Sequence, residues 1–334
     1  MTNLTVLDVT LRDGGYVNNW EFSQDLAQSV VTDLTAAGID FVEIGYRNSP
    51  SGHDNPGLSG RCSDAYIKAI RAASPNAKLS VMYSPDTVTL GDIDTLAQLG
   101  VSMVRCSIPA GNLGSALPLI KHAKDLGMVS TANLTTVTEY KTDELIEDCN
   151  KAVENGCSVL YVADTNGTMT PDRVKALFEL LKTKVPPIPL GFHNHNNLGM
   201  GMANAGEAIR CGVNYVDCTL RGMGRSAGNV PTESLVTYLH CQGLGDNLNL
   251  LQILTLAQYF VAQVPLADPK PTLEDMALGA YNFFTNVQPF VSQAAAQYGV
   301  SWYKLLAKMA SLDLDKPKIT QEQVMSIARQ LSNS

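Results

Sequence analysis

The sequence LDVTLRDGGYVNNW, residues 7–20, separates two classes of α/β fold. The run over residues 4–9 has the length and composition of a β-strand, and Arg12, Asp13 and two glycines follow it closely. An open doubly wound sheet would have a phosphate-binding glycine turn here, and RDGG is not one. The stretch therefore disfavours that fold. It also leaves a cation and a carboxylate at a strand end, where they are costly unless paired or bound to something.

Seven further β-branched runs occur downstream, each separated from the next by an amphipathic helical pattern. Glycines at positions 38, 100, 156 and 212 mark returns from helix to strand. Eight strands that alternate with helices predict a (β/α)8 TIM barrel. The eight runs are Leu4–Val9, Phe41–Ile44, Leu79–Met82, Met103–Ile108, Val129–Leu134, Val159–Ala163, Pro189–His193 and Tyr215–Leu220.

The strand pattern stops near residue 245, and the remaining sequence has helical periodicity. We therefore predict a TIM-barrel catalytic domain over residues 1–244 and a helical C-terminal domain over residues 245–334. The proline-rich segment 268–271 predicts a hinge between helical pieces.

Composition excludes several classes of function. The 334 residues carry a net charge of -8, which disfavours nucleic-acid binding. No run is apolar enough to span a membrane, and we expect no secretory signal. The seven cysteines form no CxxC pair, as expected of reduced thiols. These features predict a cytoplasmic protein.

Polar residues cluster where the predicted strands end, and active sites of TIM barrels lie at that rim. His193 and His195 share one strand face, and barrel closure brings Asp13 towards them. Two imidazoles and a carboxylate suit a divalent metal, and Mn2+, Mg2+, Co2+ and Zn2+ all fit this ligand set. The competing interpretation is that the histidines are hydrogen-bonded barrel residues. The other strand-end candidates are Arg12, Glu43, Arg47 and Asp164.

The loop after the eighth strand, RGMGRSAGNVPTE from Arg221, does not have the glycine spacing of a nucleotide loop. Its glycines instead predict close approach of the backbone to a bound ligand. Asn229 is a candidate for the metal shell, and Arg221 and Arg225 are candidates for binding an anion or are solvated loop residues. Glu43 is either a substrate contact or the buried partner that orients Arg12.

Four motifs carry a family resemblance. LDVTLRDGG, VEIG, HNHNNLGMGMANA and GMGRSAGNVPTE, in order across residues 7–233, resemble the metal-dependent lyase superfamily of TIM barrels. That superfamily contains 4-hydroxy-2-oxovalerate aldolase, isopropylmalate synthase and hydroxymethylglutaryl-CoA lyase. The eighth loop and the tail ALGAYNFF...AAAQYGVSWYKLLAKM resemble the aldolase branch, whose tail is a helical communication domain.

The resemblance implies a pyruvate-specific class II aldolase that cleaves or forms a 4-hydroxy-2-oxo acid from pyruvate and an aldehyde. In that family the residues at Asp13, His193 and His195 hold the metal, and the residue at Arg12 binds the oxygen of a metal-stabilised pyruvate enolate. The communication domain docks an acylating aldehyde dehydrogenase. The helical tail here is expected to pack on the barrel, bind such a partner or form a homo-oligomer.

One position departs from the family. The aldolases have a histidine base three residues after the metal-binding aspartate, and this sequence has Tyr16, whose unperturbed pKa of about 10 makes it a poor base. His53 is a substitute candidate, and Tyr281 is the candidate for the tyrosine that the family takes from its communication domain. Arg47 is available for a second anionic group on a larger substrate.

Two rival functions stay open from the sequence. A Claisen-type acyl-CoA synthase or lyase belongs to the same superfamily, but the eighth loop lacks the cysteine of the lyase branch, and RDGGY replaces the RDGEQ of the synthases. The second rival is a non-catalytic barrel that binds a metabolite, which leaves the three ligand-type residues unexplained.

Overall fold

The computed structural model describes residues 4–50, 52–266 and 271–332, and its parallel strands close into an eight-stranded barrel. The predicted TIM barrel is confirmed, and each predicted run overlaps a strand. The strands are β1 (Thr5–Asp8), β2 (Phe41–Tyr46), β3 (Leu79–Tyr83), β4 (Met103–Ile108), β5 (Val129–Leu134), β6 (Val159–Asp164), β7 (Leu190–Asn194) and β8 (Tyr215–Cys218).

Helices follow every strand and cover the outside of the barrel. Their starts obey sequence rules: Ser23, Ser63 and Thr89 each accept a hydrogen bond from a backbone amide of the first helical turn. These helices are α1 (Gln24–Ala36), α2 (Leu58–Arg61), α3 (Asp64–Ala73), α4 (Leu90–Gln98), α5 (Leu113–Asp125), α6 (Thr142–Glu154), α7 (Pro171–Lys184), α8 (Gly201–Arg210) and α9 (Thr232–Cys241).

The C-terminal helices divide between two hydrophobic cores. Helix α10 (Leu250–Gln263) packs with the barrel, where Phe260 lies 6.4 Å from Phe22 between ring centroids. The later helices bury a core of their own. They are α11 (Leu273–Tyr281), α12 (Gln288–Tyr298), α13 (Trp302–Ala310) and α14 (Gln321–Ser332). The boundary at residue 245 stays a prediction, and the predicted hinge lies, except for Pro271, outside the described residues.

Helix α11 joins the C-terminal helices to the rim of the barrel. Ser226 donates a hydrogen bond of 2.5 Å to Asp275, and Asn197 donates to the backbone carbonyl of Asp275 at 3.2 Å. A Cβ on Gly279 would lie 2.9 Å from the Cβ of Asn197, closer than side chains normally approach. This contact therefore requires a glycine.

The barrel interior contains charges above an apolar layer. Glu43, Arg105 and Asp217 each lie two residues after an apolar barrel residue, so they point to the same interior face one layer nearer the carboxyl ends of the strands. Arg105 is completely buried, donates to Glu43 at 3.0 Å and to Asp217 at 2.6 Å, and lies over the ring of Tyr161 at 4.3 Å. Arg105 therefore bridges the two buried carboxylates inside the barrel.

Replacing Arg105 with methionine should lower the free energy of unfolding by about 3–5 kcal/mol, because Glu43 and Asp217 would lose a buried cation. Urea unfolding followed by circular dichroism measures this. Arg210→Met removes an exposed ion pair with Glu207 and serves as the matched control, with little change expected. A loss at Arg105 no larger than in the control would contradict the account of a buried, mutually dependent network.

Candidate metal centre and active site

Three ligand-type side chains meet at the carboxyl-terminal mouth of the barrel. One ligand atom from each of Asp13, His193 and His195 lies within 4.8 Å of the others, and all three side chains are buried. β1 pairs with β8, and β8 with β7, so closure of the barrel brings the strand-1 loop across to the histidine strand. The predicted ligand set is therefore brought together.

Each imidazole has an oxygen atom close to its Nδ1, as a hydrogen-bond partner for His195 and as an ion-pair contact for His193. His195 Nδ1 donates to the backbone carbonyl of Gly228 at 3.2 Å, and His193 Nδ1 lies 3.0 Å from a carboxylate oxygen of Asp217. A proton on each Nδ1 leaves Nε2 as the lone-pair nitrogen. His195 Nε2 lies 3.9 Å from Asp13 Oδ2. This is the arrangement that metal-binding histidines use.

Electrostatics keeps these ligands in the protonation states that bind a cation. Burial lowers the pKa of His195 to about 3, so its imidazole is neutral. Burial alone would raise the pKa of Asp13, but the adjacent Arg12 guanidinium, together with both histidines, brings that pKa well below its usual range. Asp13 is therefore a carboxylate, and His195 is a neutral imidazole.

Arg12 is fixed from three sides. Its Nε donates to Glu43 at 2.6 Å, its Nη1 donates to Asp13 at 2.5 Å, and its backbone carbonyl accepts a hydrogen bond of 2.6 Å from the Trp20 indole. Glu43 also accepts from Arg105 and does not line the cavity at the barrel mouth. It therefore has the contacts of an orienting partner.

Asn229 reaches the same centre from the eighth loop. Its amide nitrogen donates to Asp13 Oδ2 at 2.6 Å, and its buried Oδ1 has no hydrogen-bond partner among the described residues. A Cβ on Gly224 would lie 2.0 Å from that amide nitrogen, so the loop can bring the amide here only with a glycine at 224.

The residues present fit a divalent cation. The buried network contains three carboxylates, on Asp13, Glu43 and Asp217. It contains two guanidinium groups, on Arg12 and Arg105, so its net charge is negative by one. Uncompensated buried charge is costly, and an ion beside Asp13 would remove it. The ligand atoms of Asp13, His193 and His195 are already within 4.8 Å of one another, and Asn229, whose oxygen has no partner among the described residues, contacts Asp13 through its amide nitrogen.

A cavity of about 320 Å³ opens above these ligands, a size suited to a small metabolite. Barrel residues form most of its wall, and Phe284, Asn286 and Pro317, from the segments between the C-terminal helices, complete it. Arg225 lines the cavity and lies 4.2 Å from the centroid of the Phe284 ring. The site is thus shared between the barrel and the C-terminal helices.

The Tyr16 hydroxyl lies 3.2 Å from the Tyr46 hydroxyl, and both residues line the cavity. Arg225 lies 5.6 Å from the centroid of the Tyr16 ring. Burial raises the pKa of Tyr46 well above its usual range, so this phenol stays neutral. Two phenol groups therefore face the cavity, and that of Tyr46 is neutral.

Two predicted anion-binding arginines have partners elsewhere. Arg47 Nη1 donates to Asp64 at 2.7 Å, and its Nε lies 3.4 Å from Asp92, outside the cavity lining. Arg221 is paired with Glu233 at 3.2 Å.

Three further candidates lie away from the cavity wall. Asp164 accepts hydrogen bonds of 3.1 and 2.9 Å from two backbone amides of the loop after β6. His53 is exposed and packs edge-on against Tyr16 and Trp20, with centroid distances of 5.4 and 5.0 Å. Tyr281 ends α11 with 38% of its surface exposed. None of the three lines the described cavity.

Several residues at the site lie outside the sequence motifs and were not predicted. Arg105 and Asp217 could have been found, because a charge inside an apolar strand must face a partner in the barrel. Phe284, Asn286 and Glu139 line the cavity from loops without a recognisable motif. Their positions depend on how the loops and the C-terminal helices pack on the rim.

The closed barrel and its mouth define a TIM-barrel protein with a candidate metal centre. The model of the HMGL-like family matches residues 3–260, and the chain belongs to that family. It is 30% identical to a 4-hydroxy-2-oxovalerate aldolase of Carboxydothermus hydrogenoformans, over 99% of this chain and 98% of that protein. It is 32% identical to an oxaloacetate decarboxylase of Mycobacterium tuberculosis, over 71% of this chain and 70% of that protein. A solved structure of the N-terminal domain of a provisionally named aldolase from Bacteroides vulgatus matches with a TM-score of 0.75 and 30% identity, and covers 86% of this chain and 97% of that one.

Across the described parts of the chain, no helix has the length and apolar character needed to span a membrane.

Asp217→Asn should weaken divalent-metal binding by about 10–100-fold, because His193 would lose the carboxylate that orients its ring and raises its basicity. Titration of the purified protein with Mn2+, with free ion followed by electron paramagnetic resonance, measures the affinity. Asp125→Asn, an exposed change on α5, is the control and should bind normally. Equal affinities in both variants would show that Asp217 does not position a ligand.

Proposed function

We propose that the chain is a divalent-metal-dependent carbon–carbon lyase, a class II aldolase that cleaves a 4-hydroxy-2-oxo acid to pyruvate and an aldehyde or forms it from them. The observation that carries the proposal is the convergence of Asp13, His193 and His195 with Arg12 on one small cavity. The full-length similarity to a 4-hydroxy-2-oxovalerate aldolase supports it.

Asp13, His193 and His195 would hold the ion, and Asn229 is a fourth candidate ligand. When bound, a divalent cation would supply Lewis acidity that polarises the keto group of a 2-oxo acid. Mn2+ is the ion we favour, and Mg2+, Co2+ and Zn2+ are alternatives, since two nitrogens and an oxygen without a thiolate suit all four.

Arg12 is the group proposed to stabilise negative charge on the keto oxygen as the carbon–carbon bond breaks. Its guanidinium is already held by Glu43 and Asp13, so it donates without reorganisation, which is the condition for effective electrostatic stabilisation. Glu43 acts through Arg12 in this proposal. Arg225 is proposed to bind a substrate carboxylate, because it lines the cavity and its Nε has no hydrogen-bond partner among the described residues.

The other predicted roles are proposed on narrower grounds. Tyr16 is proposed to orient the substrate through its hydroxyl, since a phenol is a poor base at neutral pH. Catalytic roles for His53 and Tyr281 require a side-chain or loop movement towards the cavity. Substrate binding by Arg47 or Asp164 would require them to leave the partners described above.

Decarboxylation of oxaloacetate is a second candidate function. It yields the same pyruvate enolate, and the similarity to an oxaloacetate decarboxylase favours it. The presence of Tyr16 also favours it, because loss of carbon dioxide does not require a base for a 4-hydroxyl group. A Claisen-type reaction of an acyl-CoA and non-catalytic binding of a metabolite in the barrel are less favoured, since no contact at the site supports either one specifically.

The proposed small-molecule partners are a 2-oxo acid and an aldehyde. An acylating aldehyde dehydrogenase or a second copy of the chain is proposed to bind the C-terminal helices, supported by apolar side chains such as Leu273, which is 67% exposed. A cytoplasmic location stays a prediction from composition.

Proton exchange at C3 of pyruvate in D2O tests enolate formation directly. Wild-type protein should catalyse exchange with Mn2+, and Asp13→Ala should reduce the rate to that of buffer with the metal alone, because the carboxylate ligand is lost. NMR after chelation of the ion with EDTA measures deuterium at C3. Asp313→Ala, an exposed change, should exchange as the wild type does. No exchange with any of the four metals would contradict the proposal and point to an acyl-CoA reaction or to binding without turnover.

The two candidate reactions can be separated with two substrates. We expect the wild-type protein to release pyruvate from both 4-hydroxy-2-oxovalerate and oxaloacetate, measured with a lactate dehydrogenase coupled assay, because both reactions need the same stabilised enolate. Release from oxaloacetate alone would replace the aldolase proposal with the second candidate.

A further inference from the structure

Cleavage of a 4-hydroxy-2-oxo acid requires a group that takes the proton of the 4-hydroxyl. The position where the related aldolases have a histidine is Tyr16, which shares its hydroxyl hydrogen bond with Tyr46. Neither phenol is suited to accept a proton near neutral pH. The base must therefore be sought elsewhere on the cavity wall.

The cavity lining offers few candidates for this base. Among the described residues that form it, the side chains with a carboxylate or an imidazole are Asp13, His193, His195 and Glu139. The first three form the candidate metal centre. Glu139 is the remaining group that can accept a proton.

Glu139 is held in place but not saturated with hydrogen bonds. It lies in the loop between β5 and α6 and is half-buried, and the Asn166 amide donates to its Oε1 at 2.9 Å. That is the carboxylate's one hydrogen bond among the described residues. Asn166 also donates to Asn282 of the C-terminal helices at 2.8 Å, so the amide that positions Glu139 is itself fixed. The second carboxylate oxygen stays available.

The charges around Glu139 come from the barrel loop and from the C-terminal segment that packs on it. Burial raises the pKa of Glu139, and Asp315 acts in the same direction. The Asn166 hydrogen bond and Lys316 lower that pKa and moderate the rise. A carboxylate whose pKa is raised is a better proton acceptor than that of an ordinary surface glutamate.

We propose that Glu139 is the general base of the aldol cleavage, acting on the substrate 4-hydroxyl directly or through one water. This inference rests on the proposed aldolase function. The O–H bond breaks and its proton passes to the Glu139 carboxylate, while the C4–O bond becomes the carbonyl of the aldehyde. The C3–C4 bond breaks, and its electron pair forms the pyruvate enolate whose oxygen faces Arg12. In the synthetic direction Glu139 returns the proton to the new hydroxyl.

Glu139→Gln tests the role with little structural change, because a glutamine oxygen can still accept the Asn166 hydrogen bond. We expect kcat/KM for cleavage of 4-hydroxy-2-oxovalerate to fall about 10²–10⁴-fold, the range of general-base catalysis. Decarboxylation of oxaloacetate with the same metal should stay near the wild-type rate, because that reaction needs no hydroxyl base. Glu154→Gln, an exposed change at the end of α6, is the control for both reactions.

The pH profile distinguishes a base from a merely structural residue. Wild-type cleavage should decline as pH falls through the raised pKa of Glu139, because the carboxylate must be ionised to accept the proton. The Glu139→Gln variant should not show this decline. The Glu139→Asp variant should show it again, and its cleavage rate should lie between those of Glu139→Gln and the wild type.

Three results would overturn the inference. The value of kcat/KM for cleavage by Glu139→Gln could equal that of the wild type, which would mean that another group is the base. Both reactions could fall by the same factor, which would assign Glu139 to the structure of the cavity. A wild-type protein that decarboxylates oxaloacetate but does not cleave 4-hydroxy-2-oxovalerate would remove the proposed aldolase function and, with it, the need for this base, and that failure is visible before any variant is made.

Discussion

The ion network inside the barrel is the constraint on which the site depends. Arg105 joins Glu43 to Asp217 in a layer without access to water, and from there the contacts continue to Arg12 and Asp13 and, on the other side, to one histidine of the candidate metal centre. Buried ions are tolerated only when their partners are all in place. The same contacts that satisfy the charges therefore fix the directions of the side chains that face the substrate.

The C-terminal helices belong to the site and do not merely follow it in sequence. Phe284 covers Arg225, and Asn282 binds both Asn166 and Thr138 at the barrel rim. A small polar substrate in a cavity of about 320 Å³ would thus be enclosed from both sides. Enclosure excludes water, which strengthens the electrostatic contacts of Arg12 and protects a reactive enolate from stray protonation.

The barrel could be predicted because a strand pattern recurs eight times with helical patterns between the strands. Asp13 and the histidine pair could be predicted because barrel topology determines where strand ends meet. Where Arg47 and Asp164 point could not be predicted from the sequence. Both lie near strand ends, but a nearby carboxylate binds the first and backbone amides bind the second. A position at a strand end fixes where the backbone lies. The partner of the side chain depends on the neighbouring loops, whose sequences have no repeating hydrophobic pattern. The same reason hid Phe284, which reaches the cavity only through the packing of separate helices.

The Trp20 indole that binds the Arg12 carbonyl has a practical consequence for optical spectroscopy. The chain has two tryptophans: Trp20 is buried beside the candidate site, and half-buried Trp302 lies in the C-terminal core, where it donates to Ser292. The barrel and the C-terminal helices therefore each carry one intrinsic fluorophore. Emission from the shielded Trp20 should lie at shorter wavelength and respond to events near Arg12, while Trp302 reports on the C-terminal helices. Single Trp→Phe variants would let the melting of the barrel and of the C-terminal helices be followed separately in one protein.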